Sequence, residues 1–165
     1  QEEEEQEEDF SDFWWQRPRL YHMDQCQIPR RFLETHLDKP YLAKAIEGSF
    51  VKLRVATHHG NPIYRMCKVL ALEVLAYPKT YAVGRNSWVR TKVGLLCGFG
   101  KSKQVFKIDR VSNHRFTTRE LAQWKRQMKD DREPMLTPEE CTDRLHTTTL
   151  LVLGAPITIE GLKQQ

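Results

Sequence analysis

Phe50-Val51-Lys52-Leu53-Arg54-Val55 alternates: Val51, Leu53 and Val55 point one way and Phe50, Lys52 and Arg54 the other, the period of a half-buried strand. His58-His59-Gly60-Asn61-Pro62 breaks the run with turn residues, and Ile63 to Leu75 resumes it with β-branched and aliphatic side chains. Two strands joined by a short loop predict a hairpin. It carries Lys52 and Arg54 on its first strand and Arg65 on its second. Cations held side by side on a rigid sheet suit a phosphate or a carboxylate better than they suit bond-breaking chemistry.

Downstream, Tyr77-Pro78-Lys79-Thr80 turns the chain, and Tyr81 to Trp88 reads as loop or short strand around Gly84-Arg85-Asn86. Val89 to Phe99 is strand-like, and Gly94, Gly98 and Gly100 suggest bulges or a tight bend. After a turn at Lys101-Ser102-Lys103, Val105 to Val111 alternates with Phe106, Ile108 and Arg110 on one face. Thr117 with Glu120 then forms a capping box, opening a helix whose apolar stripe begins at Leu121 and Trp124 and which ends at Lys129-Asp130-Asp131. Thr137-Pro138-Glu139-Glu140 signals a second helix start, expected to run to about His146. The β-branched, apolar run from Thr147 to Ile159 fits an added strand or a docked tail.

Upstream of the hairpin, Pro29 is expected as the first residue of a helix through Leu37. Pro40 interrupts, and Tyr41 to Ile46 predicts a second helical piece with Gly48 as its C-cap. Arg30 falls on the first turn of the earlier helix, where the dipole already favours an anion. Five or six short strands flanked by N- and C-terminal helices define an α+β fold around a small β-barrel or curled sheet.

The 165 residues suit one domain. Three parts are expected: an acidic disordered linker over 1–12, a folded unit over 13–146 and a C-terminal extension over 147–165. Residues 1–12 hold eight acidic residues and no basic one, so the other 153 hold 26 basic against 14 acidic, or +12. A folded part that basic expects a polyanionic partner. The acidic run is also a candidate to fold back onto the basic face. The arm from Phe13-Trp14-Trp15 to Tyr21 reads as an apolar strap across the domain or as a base-stacking platform. The chain does not begin with Met, which suits a fragment of a longer protein or N-terminal processing. It has no signal-peptide core and no run of 18 apolar residues.

Catalytic patterns are missing. Asp109 and Glu73 are lone carboxylates in strand patterns, and no nucleophile elbow or H-E-x-x-H motif occurs. Gly98-Phe99-Gly100-Lys101-Ser102 lacks the gap of a phosphate loop and precedes a strand. His58 and His59 are the only hint of a metal site, and adjacent loop histidines are usually just solvated. Cys26, Cys67, Cys97 and Cys141 lack zinc spacing, with Cys67 and Cys97 reading as small core residues in a reducing setting. No enzyme, metal or cofactor is expected. The basic residues Arg30, Lys52, Arg54 and Arg65 converge if the helix at Arg30 packs near the hairpin; the plain alternative is four solvated side chains scattered round a sheet.

Gly48-Ser49-Phe50-Val51-Lys52, Pro62-Ile63-Tyr64-Arg65, Val105-Phe106-Lys107-Ile108, and Val111-Ser112-Asn113 with Phe116 and the Trp124-Lys125 helix together resemble the Plus-3 domain over about residues 28–130. That domain belongs to an elongation factor subunit associated with the polymerase-associated factor complex. The resemblance implies a Tudor-like β-barrel surrounded by helices, in the nucleus. It also implies docking onto the phosphorylated C-terminal repeats of the large subunit of an elongation factor, bringing the complex to transcribing RNA polymerase II. The family's phosphate-contacting arginines fall on Arg30, Lys52 and Arg65; Lys52 keeps the charge without the planar fork. Arg110 stands where the family tends to place an aromatic, so the resemblance leaves open a ligand of different sequence, a more acidic one, or none. Arg30, Lys52, Arg65 and Arg110, with Arg54 beside them, form the candidate phosphate or peptide site of what is expected to be a monomeric module. Two other readings are a single-stranded DNA or RNA binder stacking bases on Trp14, Trp15 or Trp88, and a methyl-lysine reader with a cage drawn from Tyr64, Tyr77, Tyr81 and Phe99.

Overall fold

The computed structural model describes residues 17–75, 80–84 and 90–154. Trp14, Trp15, Tyr77 and Trp88, with the acidic run and the C-terminal residues from 155 onward, lie outside the described residues. Among the described residues three short helices come first, α1 (Leu20–Gln25), α2 (Arg30–His36) and α3 (Leu42–Ile46). The end of the arm expected as a strap is thus the start of a helix, with Tyr21 exposed. Six strands follow: β1 (Phe50–His58), β2 (Asn61–Val74), β3 (Tyr81–Ala82), β4 (Arg90–Thr91), β5 (Val93–Phe99) and β6 (Ser102–Lys107). A 3₁₀ turn (Ile108–Arg110) and two longer helices, α4 (Thr118–Asp130) and α5 (Pro138–Gly154), complete the chain.

The hairpin forms as its turn chemistry dictates. His58 pairs with Asn61, and the two residues between them, His59 (φ 49°) and Gly60 (φ 79°), both adopt left-handed backbone, as a two-residue hairpin loop requires. The main sheet is antiparallel in the order β1-β2-β5-β6, and β3 pairs with β4 as a separate two-residue ribbon. Register slips between Arg54 and Ala56 on β1, and between Val69 and Ala71 on β2; each is a bulge that bends the sheet.

The sheet is covered on both sides. Val51, Leu53, Cys67, Val69, Leu95 and Cys97 pack in one core cluster with Leu33 of α2 and Leu42, Ala45 and Ile46 of α3. Phe50 and Met66, on the other face, pack with Met23 of α1, Leu121 and Trp124 of α4 and Cys141 of α5. Phe50 and Trp124 meet edge to face, ring centroids 5.3 Å apart. The first four residues of β1 are therefore buried on both faces, not half-buried as their alternation predicts.

The expected barrel does not close. β6 gives way to the 3₁₀ turn at Ile108, and the chain regains β1 through one isolated bridge, Leu53 to Val111, and the bond from the Ser112 N–H to the Lys52 carbonyl, 2.8 Å. The run from Val105 to Val111 is accordingly a strand only to Lys107. What results is a mixed fold with a four-stranded antiparallel sheet between helices.

The helix signals fare better. Thr117 Oγ1 accepts from the Glu120 N–H at 3.2 Å while Glu120 Oε1 accepts from the Thr117 N–H at 3.0 Å, the predicted capping box. Thr137 and Glu140 repeat it for α5. Pro29 is the N-cap of α2 rather than its first residue. Helix α5 continues eight residues beyond His146, to Gly154, where the sequence read as strand or tail. Thr148 Oγ1 donates to the Ala45 carbonyl at 2.7 Å, Arg144 Nη2 donates to the carbonyls of Lys44 and Ala45, and Leu151 reaches the core. These contacts serve the C-terminal carbonyls of α3, which its own helix leaves unpaired. Among the described residues, no helix is long and apolar enough to cross a membrane.

Candidate anion-binding cleft

Three elements meet beside the first turn of α2. The Ile108 N–H donates to Tyr81 Oη at 3.1 Å and fixes the start of the 3₁₀ turn. The segment after it is tied to α2: Asn113 Oδ1 accepts from the Arg31 N–H at 2.7 Å, and the Ser112 carbonyl from the Arg30 N–H at 3.4 Å. The leading amides of α2 are thus already bonded, so the anion affinity expected of that helix start falls to side chains instead. Between α2, β1 and this segment lies a cleft of about 220 Å³ lined by Arg30, Arg54, Tyr64, Asp109, Arg110 and His114, among others.

Arg30, Arg54 and Arg110 come from three different elements and line that one cleft, against one lining carboxylate, Asp109. Arg110 Nη1 donates to the Arg54 carbonyl at 3.4 Å, which holds its side chain across β1. Arg30 Nε pairs with Glu34 Oε1 at 3.1 Å on a partly exposed helix face. A pair of that kind contributes about 0.3–0.5 kcal/mol, so it holds the Arg30 guanidinium only weakly.

The other two cations predicted for the site sit differently. Lys52 is 7% exposed; its Nζ donates to the Arg115 carbonyl at 3.2 Å, pairs with Glu120 Oε2 at 3.2 Å and lies 5.3 Å from the Tyr64 ring centroid. It backs the cleft through Tyr64 while its charge is matched by Glu120. Arg65 pairs with Leu53 in the ladder, whereas Tyr64 pairs with Arg54, so Arg65 points to the opposite face. There its guanidinium lies 5.1 Å from the Phe99 ring centroid, at a separate cleft of about 210 Å³. A wider groove of about 570 Å³ beside Trp124 mixes Lys68, Lys101 and Lys103 with Glu133 and Glu140, and so presents no field of one sign.

Tyr64, Asp109, Asn113 and His114 are cleft residues that the sequence did not single out for an anion. The register opposite Arg54 identifies Tyr64 once the two-residue turn is known; nothing local marks the others. Of the rings considered for a methyl-lysine cage, the three among the described residues do not assemble. Tyr64 lines the arginine cleft, Phe99 lies under Arg65, and Tyr81 is buried with its hydroxyl donating to the Val93 carbonyl. No group of three or more His, Cys, Asp or Glu among the described residues is placed to hold a metal ion. Burial pushes the Cys67 and Cys97 thiols up to about 12, which leaves them protonated and unreactive near neutral pH.

The chain is thus an α+β module in which fold topology, rather than sequence proximity, gathers three arginines over one cleft. It belongs to the Plus-3 domain family, whose model matches residues 22–129. It is 30% identical over 116 residues, 70% of this chain, to an RNA polymerase-associated protein of Schizosaccharomyces pombe. It is 23% identical over 151 residues, 90% of this chain, to the protein RTF1 homolog of Arabidopsis thaliana. The matches cover 20% and 23% of those two proteins, so the chain spans about a fifth of their length.

Proposed function

We propose that this domain is a non-enzymatic docking module of transcription elongation. In this reading its arginine cleft binds a phosphorylated or acidic peptide, the C-terminal repeats of the large subunit of an elongation factor, and so recruits a polymerase-associated factor complex to transcribing RNA polymerase II in the nucleus. Family membership and the names of the relatives support the setting. The observation that carries the binding mode is the placing of Arg30, Arg54 and Arg110 around one cleft the size of a small anion with its flanking residues. Tyr64 supplies a partly apolar wall there, with the Lys52 ammonium 5.3 Å from its ring centroid. Arg65 belongs to a second contact outside the cleft.

Titration of phosphorylated and unmodified repeat peptides tests the reading. Each charge-assisted bond contributes about 1.5–3 kcal/mol, so the phosphorylated peptide binds at least about tenfold more tightly, and Arg30→Ala or Arg110→Ala removes most of that preference. Equal, negligible affinity for both peptides overturns it. Tight, strongly salt-dependent binding of single-stranded DNA with no response to either peptide replaces it with the nucleic-acid reading.

A further inference from the structure

Strand β6 is the last strand in the order of the main sheet, and five of its six residues are exposed. Its inner side is laddered to β5, from the Gly94–Lys107 pair to the Phe99–Ser102 pair. On its outer side, no backbone group of Ser102 to Lys107 has a partner among the described residues. An edge of this kind is a row of open N–H and C=O groups, the template on which an extended chain adds as a further strand.

The two faces of β6 differ in chemistry. Lys103, Val105 and Lys107 alternate to one face, and Ser102, Gln104 and Phe106 to the other. Neither lysine is engaged by a carboxylate among the described residues; Lys107 Nζ lies 5.4 Å from the Tyr81 ring centroid. Ser102, Gln104 and Phe106 line the cleft of about 210 Å³ that they share with Val55 of β1 and with Phe99, whose ring carries the Arg65 guanidinium. No Asp or Glu lines it. Pockets for whole small molecules begin at about 300 Å³, so this one suits a single inserted side chain. A strand added beyond β6 lies about 4.8 Å away. Its residues on the cleft face then stand beside Gln104 and Phe106, in cross-strand contact.

A second copy of this chain is a poor occupant of the edge. Pairing β6 with β6 sets Lys103 and Lys107 against the same two lysines, and like charges opposite one another weaken the ladder. An acidic strand meets them with the favourable sign. We propose that the outer edge of β6 takes up an extended acidic segment of a partner protein as an added strand, with acidic residues facing Lys103 and Lys107 and the alternate, apolar residues facing the cleft beside Phe106. Main-chain bonds hold the segment, while the lysines and the cleft select its alternation. The site shares no lining residue with the arginine cleft, so the two are separable.

A short synthetic peptide alternating Glu and Leu is the probe, titrated into the full chain at low salt and followed by amide NMR and hydrogen exchange. Binding shifts the β6 signals and slows exchange of the β6 amides that point away from β5. Lys103→Glu with Lys107→Glu weakens it at least about fivefold, as attractive cross-strand pairs become repulsive. Both lysines are exposed, and an unchanged amide spectrum elsewhere shows that the variant folds. A strand directs only every second residue's amide at its neighbour. N-methylation at every Leu or at every Glu of the peptide therefore abolishes binding in one case and is tolerated in the other. A peptide of the same composition with its glutamates grouped binds at least about fivefold more weakly. The proposal is overturned if the alternating peptide does not bind, if the grouped peptide binds as well, if the two methylated peptides behave alike, or if the β6 amides keep their exchange rates. Repeat-peptide binding at the arginine cleft, measured on the same double variant, is unchanged, so failure of that site is seen separately from failure of this one.

Discussion

Lys52 and Arg54 share one face of β1, two residues apart, yet the fold uses them differently. Arg54 lines the cleft, whereas Lys52 is buried between Glu120, the Arg115 carbonyl and the Tyr64 ring. Removing one partner of a buried pair leaves the other charge unmatched, at a cost of about 3–5 kcal/mol. Lys52→Met is therefore expected to destabilise the domain by that amount in urea denaturation. Adding Glu120→Gln restores a large part, because the amide oxygen still caps α4 while the stranded charge is gone. A single-mutant loss below about 1 kcal/mol would mean that Glu120 swings to solvent. The strand period makes the shared face legible in the sequence. It cannot reveal which of the two cations is buried, since that depends on α4, about 65 residues further on, closing over the N-terminal half of β1. The same limit explains Arg65. The wrong face follows directly from its ladder position opposite Leu53, but the register is known only once the turn is.

Among the elements, α1 depends on a histidine as an acceptor. The Arg19 N–H donates to His22 Nδ1 at 2.8 Å, closing the N-terminus of the helix, and that nitrogen accepts only while the ring is neutral. Burial, then Arg17 and Arg19, hold the His22 pKa below the usual 6.5, with Lys125 adding to them and Glu139 opposing. Above pH 6.5 the ring is neutral in both folded and unfolded chains, and its full contribution is present. As the pH falls below 6.5 the unfolded chain takes up the proton first, so stability drops until the folded ring also titrates. Denaturation midpoints are thus expected to fall between pH 7.5 and 5.5 more steeply in the unaltered chain than in His22→Gln, with His22 itself titrating below 6.5 by NMR. Equal slopes in the two proteins would remove His22 from the acid response. Elements with capping signals, such as α4, were legible because Thr117 and Glu120 act locally. The second half of α5 was not. Thr147 to Val152 has strand propensity, and it is helical because Arg144, Thr148 and Leu151 dock on α3 and the core, where packing overrides a weak local preference.

At the scale of the whole molecule, a sheet that fails to close keeps a free edge. The outer side of β1 is bridged at Phe50 by Gln27 and at Leu53 by Val111, whereas β6 ends the sheet order with no strand beyond it among the described residues. Its sequence, Ser102-Lys103-Gln104-Val105-Phe106-Lys107, is largely exposed and has the alternation of a strand that another copy could extend. Lys103 and Lys107 flank Val105 on one side of the strand, and such lysines commonly block edge-to-edge pairing through charge repulsion. Lys103→Val with Lys107→Val produces a run of high β-propensity and no charge from Ser102 to Val105 and beyond, the composition that favours intermolecular pairing. The double variant is expected to form concentration-dependent oligomers by light scattering, with a rise in thioflavin fluorescence on standing. Loss of the Lys107 contact, 5.4 Å from the Tyr81 ring centroid, contributes only slightly to stability at so exposed a site. A control that removes the same charge elsewhere, Lys92→Gln with Lys101→Gln, stays monomeric, because neither residue lies on the free edge. If the valine pair remains monomeric as well, the edge is protected by something other than its lysines; if both pairs associate, net positive charge alone keeps the copies apart.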